Sequence, residues 1–135
     1  MSRSSPPSLS GGVDHIHLYA PSREEVAAWY HDVFGFTPVA DFAFWAEDPG
    51  GPLTIEDAGG RIHLALFSRD EAKPASFAFG ATAQEYLAWR GYFAEKGLTA
   101  RESDHDKSFS MYVVDPFDNV IEITCYDHAT VRAAS

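Results

Sequence analysis

The chain has 135 residues, of which 45% are hydrophobic and 14% aromatic, and this composition suits a compact globular domain with a proper core. Its formal net charge of −10 disfavours nucleic acid and anionic membranes as partners, because both are bound chiefly through lysine and arginine. The sequence has no apolar run long enough to span a bilayer and no hydrophobic leader, so we expect a soluble, cytoplasmic protein.

The N-terminal stretch, residues 1–12, is rich in serine, proline and glycine, which predicts a disordered tail. The fold is therefore expected to begin at Val13. Residues 13–20 alternate between two faces, as a half-buried strand does. His15 and His17 fall on the same face, so their side chains are expected to point the same way.

A helix is predicted directly after this first strand. Ser22 and Glu25 form a capping-box pattern, apolar residues then recur at helical spacing, and Gly35 suits the left-handed position that ends a helix. Aromatic and β-branched residues between turn signals predict strands after it. These strands are expected at 36–45, 53–56 and 61–67.

The second half of the chain repeats this plan after a polar linker at 68–74. A strand at 75–80 precedes a second capping box at Thr82, and Gly97 ends the second helix, so corresponding signals lie about sixty residues apart. Three more strands are expected at 98–102, 109–114 and 120–126. The predicted core is formed by Ile16, Leu18, Ile62, Leu64, Phe77, Phe79, Val113, Ile121 and Ile123.

Glu122 lies in the middle of the last predicted strand, on the face that Thr124 and Tyr126 share. A carboxylate there is costly to bury unless it is paired, hydrogen-bonded or bound to a metal, although a solvated outer face is the alternative. Cys125, the single cysteine, falls on the opposite, apolar face. We expect it to be a small core residue, and it leaves no disulfide within the chain.

Three stretches resemble the vicinal oxygen chelate superfamily, which includes glyoxalase I, fosfomycin-resistance enzymes, extradiol dioxygenases and bleomycin-resistance proteins. They are DHIHL at 14–18, WYHDVFGF at 29–36 and DPFDNVIEI at 115–123. The resemblance implies one glyoxalase-like domain over 13–127, of the α+β class. Its two βαβββ modules, 13–68 and 75–127, would form a half-open mixed β-barrel with the helices outside, followed by a C-terminal tail at 128–135. The resemblance also implies a homodimer.

The resemblance implies one divalent metal ion, with His15 and Glu122 among its ligands. Where fosfomycin enzymes and extradiol dioxygenases have a third ligand, a histidine, this sequence has Ser76, and a neutral hydroxyl is a poor ligand for a divalent metal. From the residues themselves, His63 on the polar face of its strand is a candidate replacement, and His17 is a further one. Two histidines and one carboxylate suit Fe, Mn or Zn, with Ni also open.

Tyr112 and Ser110 precede Glu122 by ten and twelve residues and share its strand face. The resemblance implies that they contact a substrate, as a serine and a tyrosine at those spacings do in fosfomycin enzymes. We expect Ser76, Ser110, Tyr112 and Tyr126 to line the ligand site, and Glu122 and Tyr112 to act in catalysis. The basic residues that bind a phosphonate have no clear counterpart, which disfavours fosfomycin as the substrate.

Two functions compete. The first is a divalent-metal-dependent enzyme that chelates two oxygens of a small substrate, with lyase, isomerase or dioxygenase chemistry. The glyoxalase I pattern is disfavoured within this class, because the first module has His63 or Ala65 where a carboxylate is needed. The alternative is a metal-free binding protein of the bleomycin-resistance type that sequesters a cationic aromatic ligand. Its supports are the net charge, Ser76 and aromatic residues that could stack with a ligand: Phe42, Phe44, Trp45 and Tyr112.

Overall fold

The computed structural model of the chain describes residues 5–71 and 73–135. These residues form two compact units, which divide after residue 72. Residues 1–4 of the predicted tail lie outside the described part, whereas 5–12 are exposed and contain no helix or strand. Among the described residues, no helix is long and apolar enough to cross a membrane.

The first unit contains one sheet and one long helix. Ser22 caps that helix by accepting from the amide of Glu25, and Gly35 ends it with a φ of 73°. The sheet has the strand order β1-β4-β3-β2, in which β1 and β4 are parallel and the other pairs antiparallel. Its elements are β1 (Ile16–Ala20), α1 (Arg23–Phe34), β2 (Thr37–Pro38), a 3-10 helix (Ala40–Glu47), β3 (Leu53–Glu56) and β4 (His63–Ser68).

The strand predicted over residues 36–45 is wrong for most of its length. Only β2 is extended there, and residues 40–47 form the 3-10 helix instead. The end of this segment is held by a contact with α1: the guanidinium of Arg23 donates to three backbone carbonyls at and just after the end of the 3-10 helix. Those carbonyls, of Ala46, Asp48 and Gly51, follow the predicted strand, and their bonds to Arg23 tie this end of the segment to α1 rather than to the sheet.

The second unit repeats the order of the first and adds a helix. Its sheet has the order β5-β8-β7-β6, again with one parallel pair, β5 and β8. Thr82 and Glu85 complete the predicted capping box through both of its hydrogen bonds. The elements are β5 (Ser76–Gly80), α2 (Ala83–Glu95), β6 (Arg101–Asp104), β7 (Phe109–Val114), β8 (Val120–Cys125) and α3 (His128–Ala133). The predicted α+β class with two βαβββ modules is confirmed, while α3 occupies a stretch expected to be a tail.

A buried turn places β8 beside β5. Oδ1 of Asp115 accepts from the amides of Phe117 and Asn119, and its Oδ2 accepts from the side-chain amide of Asn119. Oδ1 of Asn119 in turn accepts from the amide of Ala75, just before β5. Asp118, at the tip of the turn, has a φ of 68°, which aspartate tolerates better than most residues. The turn thereby fixes the position from which β8 starts.

In each unit one sheet face packs against the helix and the other face is open. The helix-side face holds the core, and five of the predicted core residues are fully buried there: Leu18, Leu64, Val113, Ile121 and Ile123. Four others, Ile16, Ile62, Phe77 and Phe79, are only half-buried. Three of these belong to β1 and β5, which are edge strands with a neighbour on one side only. We call the opposite side of each sheet its open face.

Candidate functional site

A cavity of about 230 Å³ lies on the open face of the first unit. Three histidines and three aromatic rings contribute to its lining: His15, His17, His63, Phe42, Trp45 and Phe67. The pairing of β1 with β4 explains why the histidines meet there. Ile16 pairs with Leu64 in the parallel register, so the residues just before them, His15 and His63, come to adjacent positions.

His15 and His17 belong to one hydrogen-bonded chain of side chains. Nδ1 of His15 lies 2.8 Å from Oδ2 of Asp14, and its Nε2 lies 2.9 Å from Nε2 of His17. Nδ1 of His17 lies 3.2 Å from the hydroxyl of Tyr19. Since the carboxylate only accepts, His15 donates through Nδ1, which leaves a lone pair on Nε2 to accept from His17 when His15 is neutral. Tyr19 then donates to His17, and all of these contacts are satisfied by one set of protons.

This arrangement suits metal binding at His15. Histidines that bind metals usually donate their second ring N–H to a carboxylate or carbonyl, which fixes the tautomer and the orientation of the ring. Asp14 makes that contact here and is itself exposed. Asp14 was not predicted from the sequence as a site residue, although its place beside His15 was a usable signal.

His63 has a different partner. It pairs across strands with Glu56, and its Nε2 lies 3.4 Å from Oε2 of that residue. Glu122 is the third residue of the six in β8, and the third of the six in β4 is Ala65. Of the two positions considered for the carboxylate of the first module, the structure therefore matches Ala65 rather than His63 to Glu122.

Glu122 lies on the open face of the second unit, half-buried, and its partner is a hydroxyl of the same sheet. Ser110 donates to Oε2 of Glu122 at 2.7 Å and lies 3.1 Å from the hydroxyl of Thr124. Ser110 is fully buried. The pairing of β7 with β8 produces this contact, since Ser110 pairs with Thr124 and Tyr112 with Glu122. The carboxylate is thus held by the serine predicted to stand near it.

Tyr112 is half-buried beside Glu122 and has two neighbours that were not predicted from the sequence. The guanidinium of Arg101 lies 4.4 Å from the centre of its ring, and its hydroxyl lies 3.1 Å from Nε2 of His105. Arg101 faces Tyr112 because β6 pairs with β7, and no local pattern in the sequence indicates that register. Ser76 begins the edge strand β5 and is exposed. Tyr126 lies beyond the end of β8 and is 79% exposed.

The predicted site residues thus fall into two groups. His15, His17 and His63 share the cavity of the first unit, whereas Ser110, Tyr112 and Glu122 share the open face of the second. Within the part of the chain that the structure describes, no group of three or more His, Cys, Asp or Glu side chains is arranged to hold a metal ion. The convergence of His15 with Glu122 on one ion therefore remains a prediction.

The sequence of residues 12–123 matches the family model of the Glyoxalase/Bleomycin resistance protein/Dioxygenase superfamily. The chain belongs to this superfamily, as the resemblance of its three motifs predicts. A search of curated proteins finds no match.

Solved structures of the same superfamily share the fold. A lactoylglutathione lyase from Agrobacterium tumefaciens is 26% identical, with a TM-score of 0.67, and the match covers 90% of this chain and 96% of that one. A glyoxalase/dioxygenase from Nostoc punctiforme is 19% identical, with a TM-score of 0.65, over 91% and 99% of the two chains.

A third structure is a mutant of the fosfomycin resistance protein FosX from Listeria monocytogenes. It was solved in complex with Mn(II) and 1S,2S-dihydroxypropylphosphonic acid. It is 14% identical, with a TM-score of 0.68, over 94% of this chain and all of that one. The superfamily thus includes proteins that hold a divalent metal and a small oxygenated ligand.

Proposed function

We propose that the protein is a divalent-metal-dependent enzyme that acts on a small oxygenated substrate by lyase, isomerase or dioxygenase chemistry. The observation that carries this proposal is the orientation of His15. Its Nδ1 donates to Asp14, so its Nε2 carries a lone pair beside a cavity large enough for a small molecule; this lone pair accepts from His17 in the structure and would bind the metal instead. The similarity to a lactoylglutathione lyase, at 26% identity, supports an enzymatic role.

His15 and Glu122 would be two of the metal ligands. His17 and His63 are the candidates for a third, and they differ in geometry. Nε2 of His17 lies beside that of His15, whereas Nε2 of His63 faces Glu56. For both His15 and His17 to bind one cation, the proton on Nε2 of His17 would move to Nδ1, where the oxygen of Tyr19 can accept it. A bound divalent cation would supply Lewis-acid stabilisation of charge on substrate oxygens.

The open face of the second unit would supply the other catalytic groups. Ser110 fixes Glu122 through one carboxylate oxygen, Oε2. Nε2 of His105 lies 3.1 Å from the hydroxyl of Tyr112. When the imidazole donates to the phenol oxygen, it orients the phenol and leaves the O–H free to donate to a substrate oxygen. In this proposal Glu122 binds the metal ion or takes a proton, and Tyr112 positions the substrate.

The second candidate function is a metal-free binding protein that sequesters a cationic aromatic ligand. Two observations favour it. Neither unit by itself has three metal ligands in one place within the described residues. The cavity also has an aromatic lining in which Phe42 and Trp45 stack on each other.

We also infer that two copies of the chain form a homodimer. An open sheet face tends to be covered by another layer, and large apolar side chains outside the cavity remain exposed in both units: Phe44 is 59% and Val114 53% exposed. Sedimentation at micromolar concentration tests this, and a monomer alone would contradict it.

Metal analysis separates the two functions. Protein purified without chelator and without a nickel column would be analysed by mass spectrometry, and the metal-free form would be titrated with Mn, Zn, Ni and Fe in a calorimeter. We expect about one ion per chain, lost in His15→Ala and kept in His31→Ala, because His31 lies outside the cavity, on the surface of α1. Protein that binds no metal ion in this titration, yet binds a cationic aromatic ligand equally well before and after Glu122→Gln, would instead establish the binding protein.

A further inference from the structure

We infer that the cavity of the first unit selects planar aromatic ligands that carry no negative charge. Phe42 and Trp45 are its specificity-determining residues, and Arg23 is the residue that positions them. The inference rests on the proposed function and deepens it, because it places the ligand beside His15.

Phe42 and Trp45 form a stacked aromatic pair. Phe42 and Trp45 are three residues apart in the 3-10 helix, where side chains at that spacing eclipse one another. Their ring centroids lie 4.6 Å apart and their planes differ by 21°. In the strand that the sequence pattern predicted, they would have pointed to opposite faces. The 3-10 helix thus brings two separated residues into one stacked aromatic pair, which we call the wall.

That wall is available to a ligand. Both rings line the cavity, and Trp45 keeps 43% of its surface exposed although it is large and apolar. Phe67 adds a third ring to the lining. Flat rings stack on one another more favourably than non-planar groups of similar size do. The cavity, at about 230 Å³, is smaller than most drug-sized sites and suits one or two fused rings.

The charges around the cavity disfavour an anionic ligand. The cavity lining includes Asp14 and three imidazoles but no lysine or arginine among the described residues. Arg69 lies close by without lining the cavity, and its guanidinium stacks on the rings of Phe67 and Tyr19 at 5.2 and 5.9 Å. A carboxylate, phosphonate or sulfonate would therefore meet the carboxylate of Asp14 without a cation in the lining to balance it. A neutral or cationic ring avoids that repulsion.

Arg23 holds the part of the 3-10 helix that bears Trp45. Arg23 is 7% exposed, and its guanidinium reaches the carbonyls of Ala46, Asp48 and Gly51 at 2.5–3.1 Å. Its Nε donates to Glu24. A planar fork of donors can hold several carbonyls at once, which the single ammonium of lysine cannot do in the same geometry. Arg23 therefore fixes the end of the 3-10 helix that bears Trp45.

Three naphthalene probes of equal ring size test the charge preference on protein freed of metal with a chelator. They are 2-naphthylmethylammonium, 2-naphthalenemethanol and 2-naphthoate, with cyclohexylmethylammonium as the non-planar control. We expect the cation and the alcohol to bind at least about tenfold more tightly than the anion, and the flat cation more tightly than the cyclohexyl one. Naphthoate binding as well as the others, or no binding of any probe, would overturn the inference. Metal content plays no part in this measurement, so its outcome is distinguishable from failure of the metal site.

Variants of the wall test the residues. Phe42→Ala and Trp45→Ala should each weaken binding of the naphthyl cation about 3- to 10-fold. Phe44→Ala is the comparison within the same 3-10 helix: Phe44 does not line the cavity, although its ring lies 5.0 Å from that of Trp45, so we expect a clearly smaller loss than in Trp45→Ala. An equal loss in Phe44→Ala would refute the assignment.

A separate measurement tests the positioning role of Arg23. Arg23→Lys should reduce the preference for the naphthyl over the cyclohexyl cation, and adding it to Trp45→Ala should cost little further affinity, because both changes act through the same ring. Additive losses in the double variant would show that Arg23 does not act through Trp45. If Arg23→Lys does not fold, the Phe42, Trp45 and Phe44 variants still decide whether the wall binds the ligand.

Discussion

Asp14 and His15 form a hydrogen bond of 2.8 Å in which the ring Nδ1–H donates to Oδ2 of the carboxylate. If His15 binds a metal, Asp14→Asn should weaken the metal affinity about 10- to 100-fold, since the amide is a weaker acceptor and orients the ring less firmly. The free energy of unfolding should hardly change, because the Asp14 side chain is 93% exposed. Calorimetric titration with Mn or Zn measures the effect. Asp70→Asn removes the same charge from an exposed site outside the cavity and should leave the affinity unchanged.

Ser110→Ala should destabilise the second unit, because it removes the buried hydroxyl that donates to Glu122. Hydrogen bonds to charged groups are worth more than neutral ones, so we expect a loss of about 1–3 kcal/mol in the free energy of unfolding. Urea denaturation provides the measurement. Adding Ser110→Ala to Glu122→Gln should cost less than it does in the wild type, because the charged acceptor is already gone. Equal costs in the two backgrounds would argue against the pair.

Gly51→Ala should disturb the turn that Arg23 holds. A Cβ at Gly51 would clash with the backbone carbonyl of Trp45, and backbone cannot move aside as a flexible side chain does. We expect a loss of about 1–3 kcal/mol in the free energy of unfolding, as for other overpacked sites. Gly50→Ala is the control, because its Cβ would meet only the side chain of Asp48, at 3.6 Å. Similar losses at both glycines would contradict the clash.

Large-to-small changes in the two cores should be costly in each unit. Leu64 and Ile121 are both fully buried, and replacing either with alanine should cost about 2–5 kcal/mol. Phe77→Ala should cost less than its size suggests, since Phe77 is only half-buried on the edge strand β5. Chemical denaturation of the three variants compares the sites. Near-neutral effects at Leu64 and Ile121 would mean that the helix-side faces are misassigned.

The link between β6 and α3 should weaken in acid. A hydrogen bond from the amide of Asp106, followed by one from His128, lowers the pKa of Asp104, and Arg132 adds a further contact. Because the pKa is lower in the folded state, the stabilisation is present above the ordinary pKa of aspartate and is lost as the pH falls through the folded-state value. The wild type should therefore exceed Asp104→Asn in stability at about pH 5, and the difference should vanish towards about pH 2. A difference independent of pH across that range would contradict this linkage.

Local patterns in the sequence determined most of the fold. The N-cap bond at Ser22 and the capping box at Thr82 are contacts between residues three apart, so they could be recognised without any tertiary information. The alternation in β8 likewise placed Glu122 opposite the core residues Ile121 and Ile123, as the structure has it. His15 and His17 were expected to share a face, and they do, with their Nε2 atoms 2.9 Å apart.

Tertiary structure alone decided the features that depend on distant partners. The aromatic run before Trp45 has the composition of a strand, but it forms a 3-10 helix whose end is held by Arg23, and the carbonyl partners of Arg23 lie 23 to 28 residues away. The positions of His63 beside Glu56 and of Arg101 over Tyr112 follow from strand register, which is set by long-range pairing. Periodicity shows which face of a strand a residue occupies. It does not show which distant group will satisfy a backbone carbonyl or lie on the neighbouring strand. Here those long-range contacts shape the cavity.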